Sequence, residues 1–240
     1  MKKGKKLYEG KAKIIYATND KDLVIQYFKD DATAFNGGKH AVMTDKGKVN
    51  NYISAHIMTV MTDNSIKNHF IERLDNLSQK ITKLQILPLE VIVRNYASGS
   101  ICKRLGLENG LKLPTPLIEL CYKDDSLGDP LINDEHVVLL NIATDNELQY
   151  IKSQTLKINI ILTNMFKNID ITLVDFKIEF GRDSKGDIIL ADEITPDSCR
   201  LWDINTKQRY DKDLFRLEIG DMIKYYKKLA SKLNIEIPND

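Results

Sequence analysis

The stretch LVDFKIEFGRDSKGDIILADEITPDSCRLWD, Leu173 to Asp203, limits what this chain can fold into more than any other segment. Side chains of a β-strand alternate between two faces. A strand over Val174–Phe180 therefore turns Val174, Phe176, Ile178 and Phe180 one way and Asp175, Lys177 and Glu179 the other. The apolar face needs a core to cover it, and the charged face needs partners. A two-residue turn at Lys185-Gly186 sets Ser184 against Asp187 and, counting back, Glu179 against Asp192. Two like charges ~5 Å apart, the spacing of a cross-strand pair, cost roughly 3 kcal/mol at an effective dielectric of ~20. Lys177 reaches them only from a neighbouring position, so a divalent cation shared by Glu179 and Asp192 is the stronger expectation. Mg2+ suits such a pair because it takes few carboxylates and keeps its other positions for water and phosphate oxygens. The bland alternative is a half-exposed hairpin with a solvated polar face. Ala191-Asp192-Glu193 inside an apolar strand, followed at once by TPDSCR with its Arg200, weighs against that.

A chain of 240 residues can bury a sizeable core, as one domain or as two lobes sharing a cleft. Its 35 Lys and Arg nearly cancel its 34 Asp and Glu, so no overall field points to nucleic acid or a membrane surface, and any anion site must be local. Cys102, Cys121 and Cys199 are too scattered for a disulfide framework or a CxxC metal site. No apolar run approaches the ~18 residues of a membrane span, and the basic start lacks an apolar segment behind it. The expectation is a cytoplasmic protein in a reducing compartment.

Residues 7–30 read as two strands joined by a turn, DDATAFNGGKH as a polar loop and NNYISAHIMTVMTD as a helix. Ile81–Asn95 reads as two strands broken at Pro88. ASGSICKRLGL has the look of a helix start, Asp145–Asn168 of a long amphipathic helix, and LFRLEIGDMIKYYKKLASKL of a single closing helix. Strands crowd the first third and helices flank a late hairpin, so the fold class is α+β rather than alternating βαβ units.

Two further stretches carry chemistry. YEGKAK, Tyr8 to Lys13, sets Gly10 between strands and two lysines beside it, a turn whose N–H groups and ammoniums could hold a polyphosphate, or simply a turn with solvated lysines. It is not a GxxxxGK[ST] loop. VRNYASGSICKR, Val93 to Arg104, delivers Arg94 from a strand to a Ser/Gly turn that opens a helix, which suits a phosphomonoester or carboxylate, or else mere capping beside a surface arginine. His40, His56, His69 and His136 show no metal-ligand spacing and read as surface or satisfied core residues, and Trp202 as packing.

Taken together, LYEGKAKIIY, EVIVRNYASGS, LVDFKIEFG, ADEITPDSCRLWD and DKDLFR, in this order over essentially the whole chain, resemble the bacterial SAICAR synthetases. The resemblance implies a two-lobed α+β fold: a mainly antiparallel-sheet N-terminal lobe over 1–88, a mixed α/β C-terminal lobe over 89–240, and an ATP cleft between them. It implies a ligase of purine biosynthesis that joins L-aspartate to the carboxylate of carboxyaminoimidazole ribotide with ATP as co-substrate and Mg2+ as cofactor, acting as a homodimer. By position, Gly10, Lys11, Ala12 and Lys13 would cover the ATP phosphates, Gln85, Ile86 and Leu87 would meet adenine, and Glu179 and Asp192 would hold the metal. Arg94, Ser100 and Arg200 would grip the ribotide phosphate, with Asp175, Lys177 and Lys13 at the reacting centre. The loop DDATAFNGG and Lys123 to Pro130, including Asp129, would border the ribotide and aspartate pockets. Gly128 and Cys199 depart from the family's usual His and Ser. The same parts would also serve a small-molecule kinase or a nucleotide-binding module without turnover.

Overall fold

The structure is a computed structural model that describes residues 2–34 and 38–238. Of the DDATAFNGG loop, Phe35 to Gly37 lie outside the described residues. β1 (Lys6–Glu9), β2 (Lys13–Ala17) and β3 (Leu23–Phe28) form a meander of three strands rather than two. The extra reversal comes from Gly10, whose N–H donates to the Lys13 carbonyl at 2.9 Å within LYEGKAKIIYA. β4 (Asp31–Ala34) and β5 (Lys39–Val42) pair as a small ribbon where a loop was expected. Helix α1 (Lys46–Asp63) starts ahead of its apolar pattern. Gly47 makes this entry possible, because a Cβ there would stand 2.6 Å from the Phe28 carbonyl oxygen. β6 (Phe70–Arg73) and β7 (Ser78–Thr82) complete an antiparallel sheet in the order β1-β2-β3-β7-β6.

The second sheet opens with β8 (Gln85–Tyr96). The chain changes sheets at Lys83–Leu84, not at Pro88, which lies inside β8. Pro88 is tolerated because the ladder to the strand over Ile171–Arg182 slips between Glu179 and Gly181, so no pairing there needs the N–H it lacks. After α2 (Ser100–Leu105) come β9 (Lys112–Tyr122), β10 (Leu131–Ile132) and α3 (Asp134–Leu139). Helix α4 (Asp145–Lys167) is closed at its start by a reciprocal Thr144–Glu147 capping box and packs on β11 (Ile171–Arg182). β12 (Ile188–Ala191) and β13 (Cys199–Asp203) follow, giving the order β10-β9-β8-β11-β12 with β13 also on β11. The expected closing helix is two, α5 (Asp213–Arg216) and α6 (Met222–Lys232). Glu218 at φ 57° turns the chain out of the first, and the Asp221 side chain accepts from Lys224 N at 3.0 Å to start the second.

One hydrophobic core joins α1, β8, α4, β11 and α6, through Ile57, Val91, Ile158, Ile178 and Tyr226 among others. The architecture is a two-lobed α+β fold with a cleft between the sheets. Among the described residues no helix is long and apolar enough to cross a membrane.

The β11–β12 turn corrects the expected register. Its loop holds three residues, not two: Asp183 N donates to Asp187 O and Gly186 N to Asp183 O, each at 3.0 Å, with Gly186 at φ 88°. The Asp183 carboxylate stabilises this longer loop by accepting from Lys185 N at 2.8 Å and Asp187 N at 2.9 Å. Glu179 therefore opposes Ala191, and Asp192 is not its cross-strand partner. Asp192, at φ 63°, leaves the sheet instead. The chain returns to the same edge of β11 as β13, where Lys177 N donates to Ser198 O at 2.8 Å. Residues 192–198 are thus an excursion from one continuous sheet edge, and it projects over the cleft.

Candidate active site

Strand β11 carries three charged side chains in succession on one side, each in a different electrostatic setting, and of these Lys177 and Glu179 line the cleft. Asp175 is buried, and its Oδ2 accepts from Arg94 at 2.9 Å and from Arg200 at 2.7 Å. Arg94 also donates to Ser100 Oγ at 3.1 Å and to Glu119 at 2.6 Å, and Arg200 to Asp213 at 2.9 Å. Gly99 admits this arrangement: at φ 67°, its missing Cβ would stand 2.5 Å from Arg200 Nη2. Arg94, Ser100 and Arg200, grouped together by the family resemblance, form one cluster with Asp175. Burial raises the Asp175 carboxyl above the ordinary range, with Arg200 and Arg94 opposing it.

Lys177 bridges two carboxylates, Glu90 at 2.6 Å and Glu179 at 3.0 Å, and Lys123 adds a 2.6 Å contact to Glu179. Glu90 lies directly across the β8–β11 ladder from Glu179. The like-charged cross-strand pair expected at this point in the sheet exists, but its second member is Glu90, and an ammonium sits between the two. Burial pulls the Lys177 ammonium down, yet Glu179 and Glu90 outweigh it and hold its pKa above that of an ordinary lysine. Burial pushes the Glu179 carboxyl up, and Lys177, Lys123 and Lys13 more than reverse the effect. Glu179 is ionised at neutral pH.

Facing this strand, the Gly10–Lys13 turn and the 192–198 excursion close the other walls of a cleft of ≈ 1070 Å³, large enough for a nucleotide and a second small substrate. Lys13 contacts both the Asp192 and Glu193 carboxylates, and Lys11 reaches across the mouth to Asp125 at 2.8 Å. Burial raises and Lys13 lowers the Glu193 carboxyl, with a net shift downward. Glu179, Asp192, Asp129 and Lys123 line this same cleft. Of the residues expected to meet adenine, Ile86 is on the cleft wall, Leu87 is in the core and Gln85 is exposed. Among the described residues, no three carboxylate, imidazole or thiolate groups converge as a closed metal cage.

Several participants escaped the reading of the sequence. Glu90 obeys the same alternation as Glu179, set between the buried Leu89 and Val91, and that signal was available. Asp197 gives no local signal. It anchors the excursion by accepting from the buried Lys46 at 2.6 Å, Tyr226 at 2.7 Å and Asn50 at 3.1 Å. Burial opposes its ionisation, but Lys46 and its other donors hold it far below the usual carboxylate range. The sequence predicts a surface or satisfied core residue at His69. It is buried at the cleft wall, and its Nε2 has no hydrogen-bond partner among the described residues.

A protein-family model described as SAICAR synthetase matches residues 6–233. The chain belongs to the SAICAR synthetase family. It is 55% identical over 238 residues to the phosphoribosylaminoimidazole-succinocarboxamide synthase of Pelagibacter ubique, covering 98% of this chain and 92% of that protein. The counterpart from Fusobacterium nucleatum is 52% identical, with 97% and 98% covered. Among solved SAICAR synthetase structures, that from Ehrlichia chaffeensis superposes with a TM-score of 0.95 at 48% identity, over 98% of this chain and all of that one. A SAICAR synthetase solved in complex with ADP gives 0.94 at 45% identity, over 97% and 99%.

Proposed function

We propose that the cleft binds ATP with its phosphates under the Gly10–Lys13 turn, and the ribotide along β11 with its phosphate at Arg94, Ser100 and Arg200. The activity is that of the SAICAR synthetase family, ATP-dependent ligation of L-aspartate in purine biosynthesis. The observation that carries the spatial reading is the charged row of β11. Asp175 to Glu179 spans about 13 Å of strand, roughly a mononucleotide's length, and joins the two-arginine cluster to the lysine-rich and carboxylate-rich cleft. A similar protein solved in complex with ADP supports a nucleotide as one of the ligands.

A carboxylate is a poor electrophile toward an amine, because oxide would have to leave. Here the ribotide carboxylate attacks the γ-phosphoryl group, the bond to ADP breaks, and an acyl phosphate forms. The aspartate amine then attacks the acyl carbon and phosphate departs with one of the original carboxylate oxygens. Lys13 and Lys177 stabilise charge on the transferring group, and the cluster around Asp175 fixes the ribotide so that the oxygen meets phosphorus in line. No covalent bond to the protein is needed.

The residues present suit Mg2+. Glu179 and Asp192 offer hard oxygen donors in one cleft, and Lys13, in contact with Asp192 and Glu193, marks where these carboxylates gather positive charge. Two carboxylates without a closed cage leave positions for phosphate oxygens. When bound, the ion supplies charge neutralisation at those phosphates. The chain acts as a cytoplasmic homodimer, on the strength of its resemblance to bacterial members of the family.

Asp192→Asn tests the metal role. ADP formation at saturating Mg2+ is expected to fall about 10²–10³-fold, the usual effect of losing one preorganised electrostatic group. A rate near that of the unaltered chain refutes it.

A further inference from the structure

Lys212 caps the start of α5, is half-buried and lines the cleft. Its ammonium makes no hydrogen bond or ion pair among the described residues. The other two half-buried lysines of the cleft wall are both paired, Lys13 with Asp192 and Glu193, and Lys177 with Glu90 and Glu179. Charge is also out of balance around Lys212. The Asp197 carboxylate acts on it, but Asp197 already accepts from Lys46 at 2.6 Å, so two ammoniums share one carboxylate. Arg216, which lines the same cleft, adds a third cation. It spends one of its several donors on Asp213 at 2.7 Å, and Asp213 is itself shared with Arg200 and Arg209. Burial foremost, helped by Lys46 and Arg216 and opposed by Asp197 and Glu193, lowers the Lys212 pKa. A charge kept under that strain at the wall of a substrate cleft points to an anion that arrives with a ligand.

The reaction's own anions narrow the choice. In the reading above, the nucleotide phosphates lie at the Gly10–Lys13 turn and the ribotide phosphate at Arg94, Ser100 and Arg200. The ribotide carboxylate must meet the γ-phosphoryl group. The carboxylates of L-aspartate are left without a partner. Lys212 and Arg216 suit them: Arg216 N donates to Lys212 O at 3.0 Å, a helical turn that sets residues four apart on one face, with Cβ atoms about 5–6 Å apart. Two flexible cations at that spacing can close on both ends of a short dicarboxylate. Lys212 N also donates to Pro196 O at 3.1 Å, which ties the pair to the 192–198 excursion and so to the Asp192 side of the cleft.

We propose that Lys212 and Arg216 hold the two carboxylates of L-aspartate, one each. The inference rests on the ligase reading above and deepens it by giving the amine substrate its place. It also accounts for selection of a dicarboxylate: L-asparagine or L-alanine would leave one of the two cations unpaired.

The experiment follows ADP release by the full chain, varying each substrate in turn with the other two saturating. Arg216→Gln leaves Asp213 its bonds to Arg200 and Arg209, and Lys212→Met keeps the apolar length of the side chain. Each should raise the KM for L-aspartate about 10–100-fold, the worth of one hydrogen bond between charged groups. The KM values for ATP and ribotide should stay within about 3-fold, whereas a merely structural role would lower kcat or raise all three together. Lys212→Arg, which keeps the charge, should restore most of the loss. An unchanged aspartate KM in Arg216→Gln overturns the inference even if Lys212→Met does not fold, as does a larger rise for ribotide than for aspartate in either variant. Failure of the unaltered chain to release ADP with all three substrates present would instead overturn the ligase reading itself.

Discussion

At the scale of single residues, the site is governed by how buried charges are paired. Glu90 and Glu179 face each other across the β8–β11 ladder, and Lys177 is the cation between them. Removing one partner of a buried ionic group strands the others, typically at 3–5 kcal/mol. Lys177→Met is expected to cost about 3 kcal/mol in urea unfolding, near the low end because Lys123 still reaches Glu179. An unchanged unfolding midpoint would show that the two carboxylates do not depend on Lys177. The alternation of Val174–Phe180 made Asp175, Lys177 and Glu179 legible from sequence as one charged face. Glu90 was equally legible, whereas the Lys46–Asp197 contact was not, because no local pattern ties a helix start to a distant loop.

Elements place those residues, and here one turn decided the outcome. A loop of three residues rather than two moved Glu179 from Asp192 to Ala191 and released Asp192 into the excursion that overhangs the cleft. Turn length was the weak point of the sequence reading: Lys185-Gly186 fits a two-residue loop, while Asp183 supplies the side-chain bonds that favour the longer one. Pro88 misled for a similar reason, since a bulge makes room for it inside β8. Helix α4 was legible almost to its ends, and its start yields a test. Arg182 foremost, and then the Thr144 N–H, pull the Glu147 carboxyl down to about 2. A carboxyl depressed in the folded state stabilises it fully above the unfolded pKa of ~4.3, and the contribution is lost as pH falls through the folded value. Glu147→Gln should therefore lose about 1 kcal/mol at pH 7, and its deficit should close as the pH approaches 2, read from thermal unfolding across that range. A deficit independent of pH would contradict the assignment.

For the molecule as a whole, composition and periodicity led to an α+β chain with no global electrostatic partner, and the family resemblance led to two lobes and a cleft. What neither contained was the meeting of the sheets, where β6 approaches the end of β12 through the Asn68–Leu190 bridge and brings His69 to the cleft wall. That seam, the turn at Gly10–Lys13 and the excursion at Asp192 are walls of the cleft in which we propose that a carboxylate is activated and then met by an amine. The most direct test follows the oxygen. With ribotide labelled by ¹⁸O in its carboxylate, turnover with ATP and L-aspartate should deliver one labelled oxygen into each inorganic phosphate, measured by mass spectrometry. Phosphate released without label would mean that the carboxylate never bonds to phosphorus, and the proposed chemistry of this cleft would be wrong.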